Sequence, residues 1–338
     1  MDWNVGGEVI DSIAGRNLIT LRDVSQQAIV EILDTAEAFA EVNARAIKKV
    51  PTLKGRVVAS LFFEESTRTR LSFETAAKRL SADVLSLAVA SSSVKKGESL
   101  RDTIATIEAL GIDAVVMRHS ASGAPEQVSR FVPHVRVINA GDGQHQHPTQ
   151  GLLDVFTIRQ VLAARHGTTG RESGCELFAG LKVLIVGDLR HSRVARSDVM
   201  AYTTLGATVR VCAPGTLLPV DVSQWPVEVV ENFDDALGWA DVVGVLRLQK
   251  ERGTGSLVPS LGEFTRTHGL TWERARRLSP STLITHPGPM NRGVEIDSRV
   301  ADLDVALMER QVANGVPIRM SVLYLSLAGR APERSTDE

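Results

Sequence analysis

A chain of 338 residues exceeds what one ordinary hydrophobic core supports, so two domains are expected. With 43% hydrophobic and 23% charged residues and a net charge of -2, the composition is that of a soluble globular protein; it excludes a globally basic nucleic-acid binder, so any anion site must come from local placement of arginines. No apolar run reaches the length of a membrane span and no charged start leads into an apolar stretch, so neither a span nor a secretory signal is expected; Cys175 and Cys212 show no metal-ligand spacing and no disulfide framework, which points to a reducing cytoplasm.

In chain order, apolar β-rich runs occur at VVASLFF (57–63), DVLSLAV (83–89), DAVVMR (113–118) and VRVIN (135–139). A second series follows at LKVLIVGD (181–188), ATVRVCA (207–213), VEVV (227–230), DVVGVLR (241–247) and TLITH (282–286). Helical patterns fall between them. Phe73, Ala76, Ala77 and Leu80 are spaced i, i+3, i+4, i+7, and Leu100, Ile104 and Ile107 mark another helix, with Gly111 placed to end it. The alternation predicts an α/β protein with two doubly wound parallel sheets. The segment RHGTTGRESGCELFAG (165–180) reads as a loop near the domain junction, and RAPERSTDE as a frayed tail.

The stretch FFEESTRTRLSFETAAKRL (62–80) sets hydroxyl and guanidinium groups between a strand and a helix. In open α/β sheets ligands bind beyond the carboxyl ends of strands. Ser66 is a good N-cap, and the first N–H groups of the helix lack intrahelical acceptors and carry the positive end of the dipole. Phosphate binds readily at such a place. Residues two apart on a helix point about 200° from each other. Arg68 is therefore expected to face a ligand and Arg70 to make a structural ion pair.

Other polar clusters also end strands. SSSVKKGESLRDT (91–103) precedes a helix; VMRHS (116–120) ends a strand on Arg118; GDGQHQHPTQ (141–150) brings His147 and Gln150 to a helix that Pro148 can open. VGDLRHSRVARS (186–197) is a βα turn with one glycine, not a dinucleotide fingerprint, and it offers Arg193. VLRLQKER (245–252) supplies Arg247, Gln249 and Arg252, and THPGPMNRG (285–293) is a proline-stiffened segment that can present fixed carbonyl oxygens.

FFEESTRTR, KKGESLRDT, VMRH, HPTQGLLD, GDLRHSRVARS, RLQKER and HPGP, in this order from about Leu18 to about Gly329, resemble the aspartate/ornithine carbamoyltransferases, and most closely the aspartate-using catalytic chains. The resemblance implies two domains with the active site in the cleft between them. Residues 1–148 with a C-terminal helix at about 311–330 would bind carbamoyl phosphate, and 149–310 would bind aspartate. It implies transfer of a carbamoyl group from carbamoyl phosphate to the amine of L-aspartate, the committed step of pyrimidine synthesis. No cofactor and no metal take part.

By that resemblance Ser66, Thr67, Arg68 and Thr69 hold the phosphate, and Arg118 bridges phosphate and carbonyl oxygen. Thr69, Arg118 and His147 stabilise the oxyanion. Gln150 and the carbonyls at Pro287 and Gly288 accept from the carbamoyl NH2, with Pro289 fixing the bend. Lys96, Arg193, Arg247 and Gln249 meet the carboxylates of aspartate. Ser92 and Lys96 belong to a loop lent by the neighbouring subunit of a homotrimer with shared active sites, and Glu64 is an interdomain link to Arg193 or Arg252. A regulatory chain or a dihydroorotase stays open as a further partner; nucleic acid and membrane do not. The chemistry agrees: two anions are placed and a tetrahedral oxyanion is stabilised, work suited to the arginine fork. Two other readings are an ornithine carbamoyltransferase and a non-catalytic scaffold homologue. The first would carry cysteines where Thr149 and Gly288 stand; the second would lack Arg68, His147 or Arg247.

Overall fold

A computed structural model describes residues 8–87, 99–249 and 257–328. Ser92, Lys96, Arg252 and the tail RAPERSTDE lie outside the described residues. The described chain divides into two compact units. The first takes residues 9–149 and 314–328, and the second takes Glu8 and residues 150–313.

The first unit opens on helix α1 (Gln26–Ala44), capped by Ser25, whose side chain accepts from the Ala28 N–H. Strands β1 (Val57–Phe62), β2 (Asp83–Leu87), β3 (Ala114–His119) and β4 (Arg136–Asp142) form one sheet in the order β2-β1-β3-β4, every pairing parallel. Helices α2 (Thr67–Arg79), α3 (Leu100–Ala109) and α4 (Ala124–Phe131) are the crossovers. Strand alternation decides which face each helix covers. Ala59, Leu61, Val115, Met117 and Val137 share a core with Ile104 and Ile107 of α3 and Val128 of α4. Ser60 points the other way, and its Oγ donates to Glu74 Oε1 of α2 at 3.4 Å. Helices therefore lie on both faces, and Gly111 ends α3 at φ +80° as its position predicts.

Helix α5 (Pro148–Arg165) begins at its proline, and residue 150 is the first of the second unit on it. The second unit's strands are β5 (Lys182–Val186), β6 (Thr208–Cys212), β7 (Glu228–Val229), β8 (Val242–Val245) and β9 (Leu283–Thr285), in the parallel order β7-β6-β5-β8-β9. Helices α6 (Gly170–Ser173), α7 (Arg193–Thr204), α8 (Phe233–Ala236), α9 (Leu261–His268), α10 (Trp272–Ala275) and α11 (Ser298–Ala301) follow in sequence. Its core joins Leu184, Val186, Val243, Val245 and Ile284 to Phe233, Leu237, Leu270, Ile296 and Val300. Helix α12 (Met308–Ala328) then leads back to the first unit, where Arg319 stacks over Phe73 and donates to Ser72 Oγ at 2.8 Å.

One expectation is corrected. Residues 165–180 are not a plain loop at the junction. They lie within the second unit and carry α6, closed by a capping box in which Glu172 Oε2 accepts from the Thr169 N–H at 2.8 Å and Thr169 Oγ1 accepts from the Glu172 N–H at 3.3 Å. A short 3-10 turn at Glu176–Phe178 then buries Phe178. The Thr-x-x-Glu spacing was present in the sequence, hidden among glycines and hydroxyl residues.

Strand order reverses once in each sheet. From β1 the chain steps to one side as β2 and then returns to the other as β3; from β5 it steps out to β6 and β7 and returns as β8. At such a reversal the connections diverge and leave a crevice at the carboxyl ends of the two central strands. The β5/β8 reversal is tight. Gly187 has φ +127°, and a Cβ there would lie 2.7 Å from the Leu246 carbonyl oxygen. Gly293, at φ +80°, has nothing within 4 Å of its Cβ position. Gly187→Ala is therefore expected to cost on the order of 3 kcal/mol, strain and clash together, against about 1 kcal/mol for Gly293→Ala, where only the backbone conformation is at stake. Urea unfolding of the two variants checks this, and equal costs would contradict the close approach.

Candidate active site

In the first unit the candidates gather at the β1/β3 reversal. Ser66 is extended and precedes α2 as its N-cap, but its side chain makes no capping hydrogen bond. Thr67 and Arg68 are exposed in the first turn and Thr69 is buried. Arg118 lies at the end of β3 in register with Phe62 of β1. Beside it the β3–β4 register slips, so that Met117 faces Asn139 but His119 faces Asp142. Two residues of β4 then oppose Arg118, one of them Gly141 at φ +114°, and such an irregularity re-aims a side chain. Arg118 donates to Glu64 Oε1 at 2.8 Å, with both side chains largely buried.

Arg70 makes the expected ion pair. It pairs with Glu74 at 3.8 Å, one turn along α2, and is half exposed. The ion pair anticipated from helix geometry is present, but it is an open surface pair worth about 0.3–0.5 kcal/mol. It does not anchor the turn. That role falls to the Arg319–Ser72 bond and to Phe73 beneath it.

His147 is buried just before α5. The turn that leads to it is organised by Asp142, which sequence reasoning did not single out. Its buried carboxylate accepts from the Gly123 N–H at 2.6 Å, Asn139 Nδ2 at 2.8 Å and the Gln146 N–H at 3.1 Å, and pairs with His145 Nδ1 at 3.0 Å. Burial alone would raise its pKa; the His145 contact and the N–H donors outweigh burial and hold it below the ordinary carboxylate range.

In the second unit Arg193, Arg247 and Gln249 lie beyond the carboxyl ends of β5 and β8, Pro287–Pro289 follow β9, and Gln150 lies on α5. Arg193 is the first residue of α7 and is buried, behind a Ser192 cap that accepts from the Ala195 N–H. Arg247 and Gln249 follow β8 and are half-buried. Asp188 ties the two loops together. It is fully buried, accepts from the His191 N–H at 3.2 Å, contacts His191 Nδ1 at 2.9 Å, and accepts from the Gln249 N–H at 3.2 Å. Its only signal in the sequence is the Gly-Asp that follows β5.

The segment after β9 is held equally firmly. Gly288 N–H donates to His286 Nδ1 at 2.8 Å, so the ring's proton sits on Nε2 and is directed to Glu295 Oε1 at 3.2 Å. Glu295 also accepts from the Asn291 N–H and from Asn291 Nδ2. Asn291 Nδ2 reaches the Leu248 carbonyl at 3.2 Å, which links this segment to the loop after β8. Pro287 and Gly288 are half-buried, Pro289 is exposed, and the Gly288–Pro289 peptide is cis. Gln150 Nε2 donates to Asp154 Oδ1 at 3.1 Å. Cys212 is buried and its thiol is pushed up to about 11, chiefly by burial, so it is not a poised nucleophile.

The aspartate/ornithine carbamoyltransferase carbamoyl-P binding domain matches residues 16–160, and the Asp/Orn binding domain of the same family matches residues 179–326. The chain belongs to this family. The aspartate carbamoyltransferase catalytic subunit of Streptomyces avermitilis is 51% identical over 319 residues, covering 94% of this chain and 96% of the relative. That of Frankia casuarinae is 52% identical, covering 93% and 94%. The crystal structure of aspartate transcarbamoylase from Trypanosoma cruzi in complex with carbamoyl phosphate and aspartate superposes with a TM-score of 0.81 at 29% identity, covering 95% of this chain and 99% of that one. Two parallel-sheet α/β domains are the fold they share. Among the described residues no helix is long and apolar enough to cross a membrane, and no group of three His, Cys, Asp or Glu side chains is arranged to hold a metal ion.

Asp142 supplies a test of the His147 turn. Its lowered folded-state pKa means that it adds stability above its unfolded value of about 3.9, stability that is lost as pH falls through the folded value. Asp142→Asn should therefore cost on the order of 2–3 kcal/mol at pH 7, since a buried charge-assisted network is broken. The gap between variant and parent should narrow below about pH 4, where the unfolded carboxyl takes up its proton. Urea unfolding from pH 7 to pH 3 measures the gap, and a gap that does not change with pH would contradict the ionised network.

Proposed function

We propose that this protein is an aspartate carbamoyltransferase. It transfers the carbamoyl group of carbamoyl phosphate to the amine of L-aspartate, giving N-carbamoyl-L-aspartate and phosphate, as in the committed step of pyrimidine synthesis in the cytoplasm. The observation that carries this reading is identity of 51% to an aspartate-named catalytic subunit, over 94% of this chain and 96% of the relative.

In this reading the first unit is the carbamoyl phosphate domain. The Ser66–Thr69 turn takes the phosphate at the α2 N-terminus, and Arg68 and Arg118 bring charge to it. Arg118 has five donors, so it can serve phosphate and Glu64 together. Thr69, Arg118 and His147 donate to the carbonyl oxygen as it becomes an oxyanion. Gln150 Oε1 and the carbonyls at Pro287 and Gly288 accept from the carbamoyl NH2. The second unit is the aspartate domain. Arg193, Arg247 and Gln249, with Lys96, orient the two carboxylates. The amine attacks the carbonyl carbon, the bond from that carbon to the phosphate oxygen breaks, and the departing phosphate takes the amine proton. No protein nucleophile is required. Most of the rate enhancement then comes from placement and oxyanion stabilisation.

Arginines at the β5/β8 reversal suit a second carboxylate and repel the side-chain ammonium of ornithine. Thr149 and Gly288 also stand where ornithine-using relatives carry cysteine. A carbamoylation assay with the two amino acids side by side decides the substrate. Product should form from L-aspartate at least about 100-fold faster than from L-ornithine, the scale expected when buried charges are left mismatched; comparable rates would refute the reading.

The assembly is a homotrimer in which Ser92 and Lys96 are supplied by the neighbouring subunit. Mixing tests this. Lys96→Ala and Arg247→Ala should each be nearly inactive. Refolded together in equal amounts, they form closed rings in which every mixed trimer has one junction with both residues intact. By that count about a quarter of the parent activity returns. No recovery, with mixed trimers shown to form, would mean that Lys96 serves its own subunit.

A further inference from the structure

Helices α5 and α7 approach so closely that Gly151 lies on the backbone of Ser197. A Cβ at Gly151 would come within 2.8 Å of the Ser197 carbonyl oxygen. One turn further along α5 is Asp154, and next to Ser197 on α7 is Asp198. Both are buried, and their carboxyl groups lie against each other. Two carboxylates cannot share such a contact without a proton, because neither ionised group has a donor.

The hydrogen bonds around them show which one stays ionised. Asp154 Oδ1 accepts from Gln150 Nε2 at 3.1 Å and from Gln311 Nε2 of α12 at 2.6 Å. Gln311 in turn presents Oε1 to the His286 N–H at 3.0 Å. An acceptor with this much demand on it keeps its charge, and Asp198 carries the proton that it donates to Asp154. Burial, and then the neighbouring Asp154, push the Asp198 carboxyl well above the usual range. The same two carboxyl groups, after burial, push up the adjacent Tyr202 phenol, which faces the pair from α7 and stays protonated.

We propose that the Asp154–Asp198 pair positions the acceptors for the carbamoyl NH2 group, Asp154 acting directly on Gln150 and, through Gln311, on the backbone of His286 that leads into Pro287 and Gly288. This rests on the reading in which Gln150 and those carbonyls receive that NH2 group. By accepting an Nε2–H of Gln150, Asp154 turns the amide so that Oε1 is left to accept from a ligand. Through Gln311 it fixes the start of the other acceptor segment, so one oxygen atom sets both in register. Asp198 holds the Asp154 carboxylate in place with its single proton, and the pair carries one negative charge in place of two. Asp154 and Asp198 are positioning residues; neither touches the substrate.

The test separates the two ends of the ligand. Phosphonoacetamide carries the NH2 group, and inorganic phosphate does not. Affinities of the full-length protein for both are measured by calorimetry. Asp198→Leu removes the donor and should weaken phosphonoacetamide about tenfold, one lost hydrogen bond, while phosphate stays within about twofold. Gln311→Leu should show the same selective loss. Asp198→Asn keeps an N–H donor toward Asp154 and should restore the affinity ratio. Gln150→Ala is the reference. If it loses phosphonoacetamide selectively while Asp198→Leu and Gln311→Leu keep the parent ratio, the positioning role is refuted and the substrate reading stands. If Gln150→Ala also keeps the parent ratio, the substrate reading fails and the positioning role fails with it. An Asp198→Asn variant as weak as Asp198→Leu refutes the shared proton. Should Asp198→Leu not fold, Gln311→Leu decides alone.

Discussion

Two reversals of strand order govern where chemistry can sit in this molecule. Within a parallel sheet the backbone groups of the strands satisfy one another, and helices cover the faces. Polar loops can converge only at the strand ends, and they converge where successive connections depart in opposite directions. That happens between β1 and β3 in one unit and between β5 and β8 in the other. Ser66–Thr69 and Arg118 end the first pair of strands; Arg193, Arg247 and Gln249 follow the second. The candidate residues are far apart in the chain because each reversal joins strands that are not consecutive.

The loops at these ends are rigid for a shared reason. Each is fastened by one buried acid. Asp142 gathers N–H groups from three separate stretches around the His147 turn. Asp188 joins the β5 loop to the backbone of Gln249, and Glu295 holds the segment after β9 through His286 and Asn291. A buried carboxylate has about four acceptor sites and no donor, so it organises backbone amides without competing for carbonyls. Its burial is tolerated only while those bonds are intact, which makes the loop conformations cooperative: losing one N–H partner raises the cost of keeping the charge at all.

Much of this was legible in the sequence, and the boundary of legibility has a physical cause. Period-2 and period-3.6 patterns located the strands and helices because burial imposes those periods locally. The arginines and His147 stood out because so many charged turns fall at strand ends in two successive α/β series. Asp142, Asp154, Asp188 and Glu295 did not stand out, although Asp154 and Asp188 contact predicted residues and Asp142 and Glu295 fasten the segments beside them. Single acidic residues among polar neighbours look like solvated loop residues, and only the fold shows that they are buried. The α6 capping box was missed for the opposite reason, a real local signal masked by glycine-rich composition. Arg70 marks a third case: angular position on a helix predicts direction but not depth, and the expected ion pair proved to be a surface one.

The site proposed for two anionic substrates is thus built on acids, and this is consistent with electrostatics. Buried carboxylates near an anion site would oppose binding if their charge were uncompensated. Asp142, Asp188 and Glu295 each accept from donors that point at them, and the Asp154–Asp198 contact keeps one of two acids neutral. The most direct coupling is Glu64 on Arg118 at 2.8 Å. This contact keeps a largely buried guanidinium compensated, which avoids the penalty of an isolated buried charge. On the proposed reading, the remaining donors of the fork would serve an arriving phosphate, while the glutamate fixes the plane of the guanidinium. A charged ligand is then met by a side chain already oriented, so little reorganisation is left for the bond-making step.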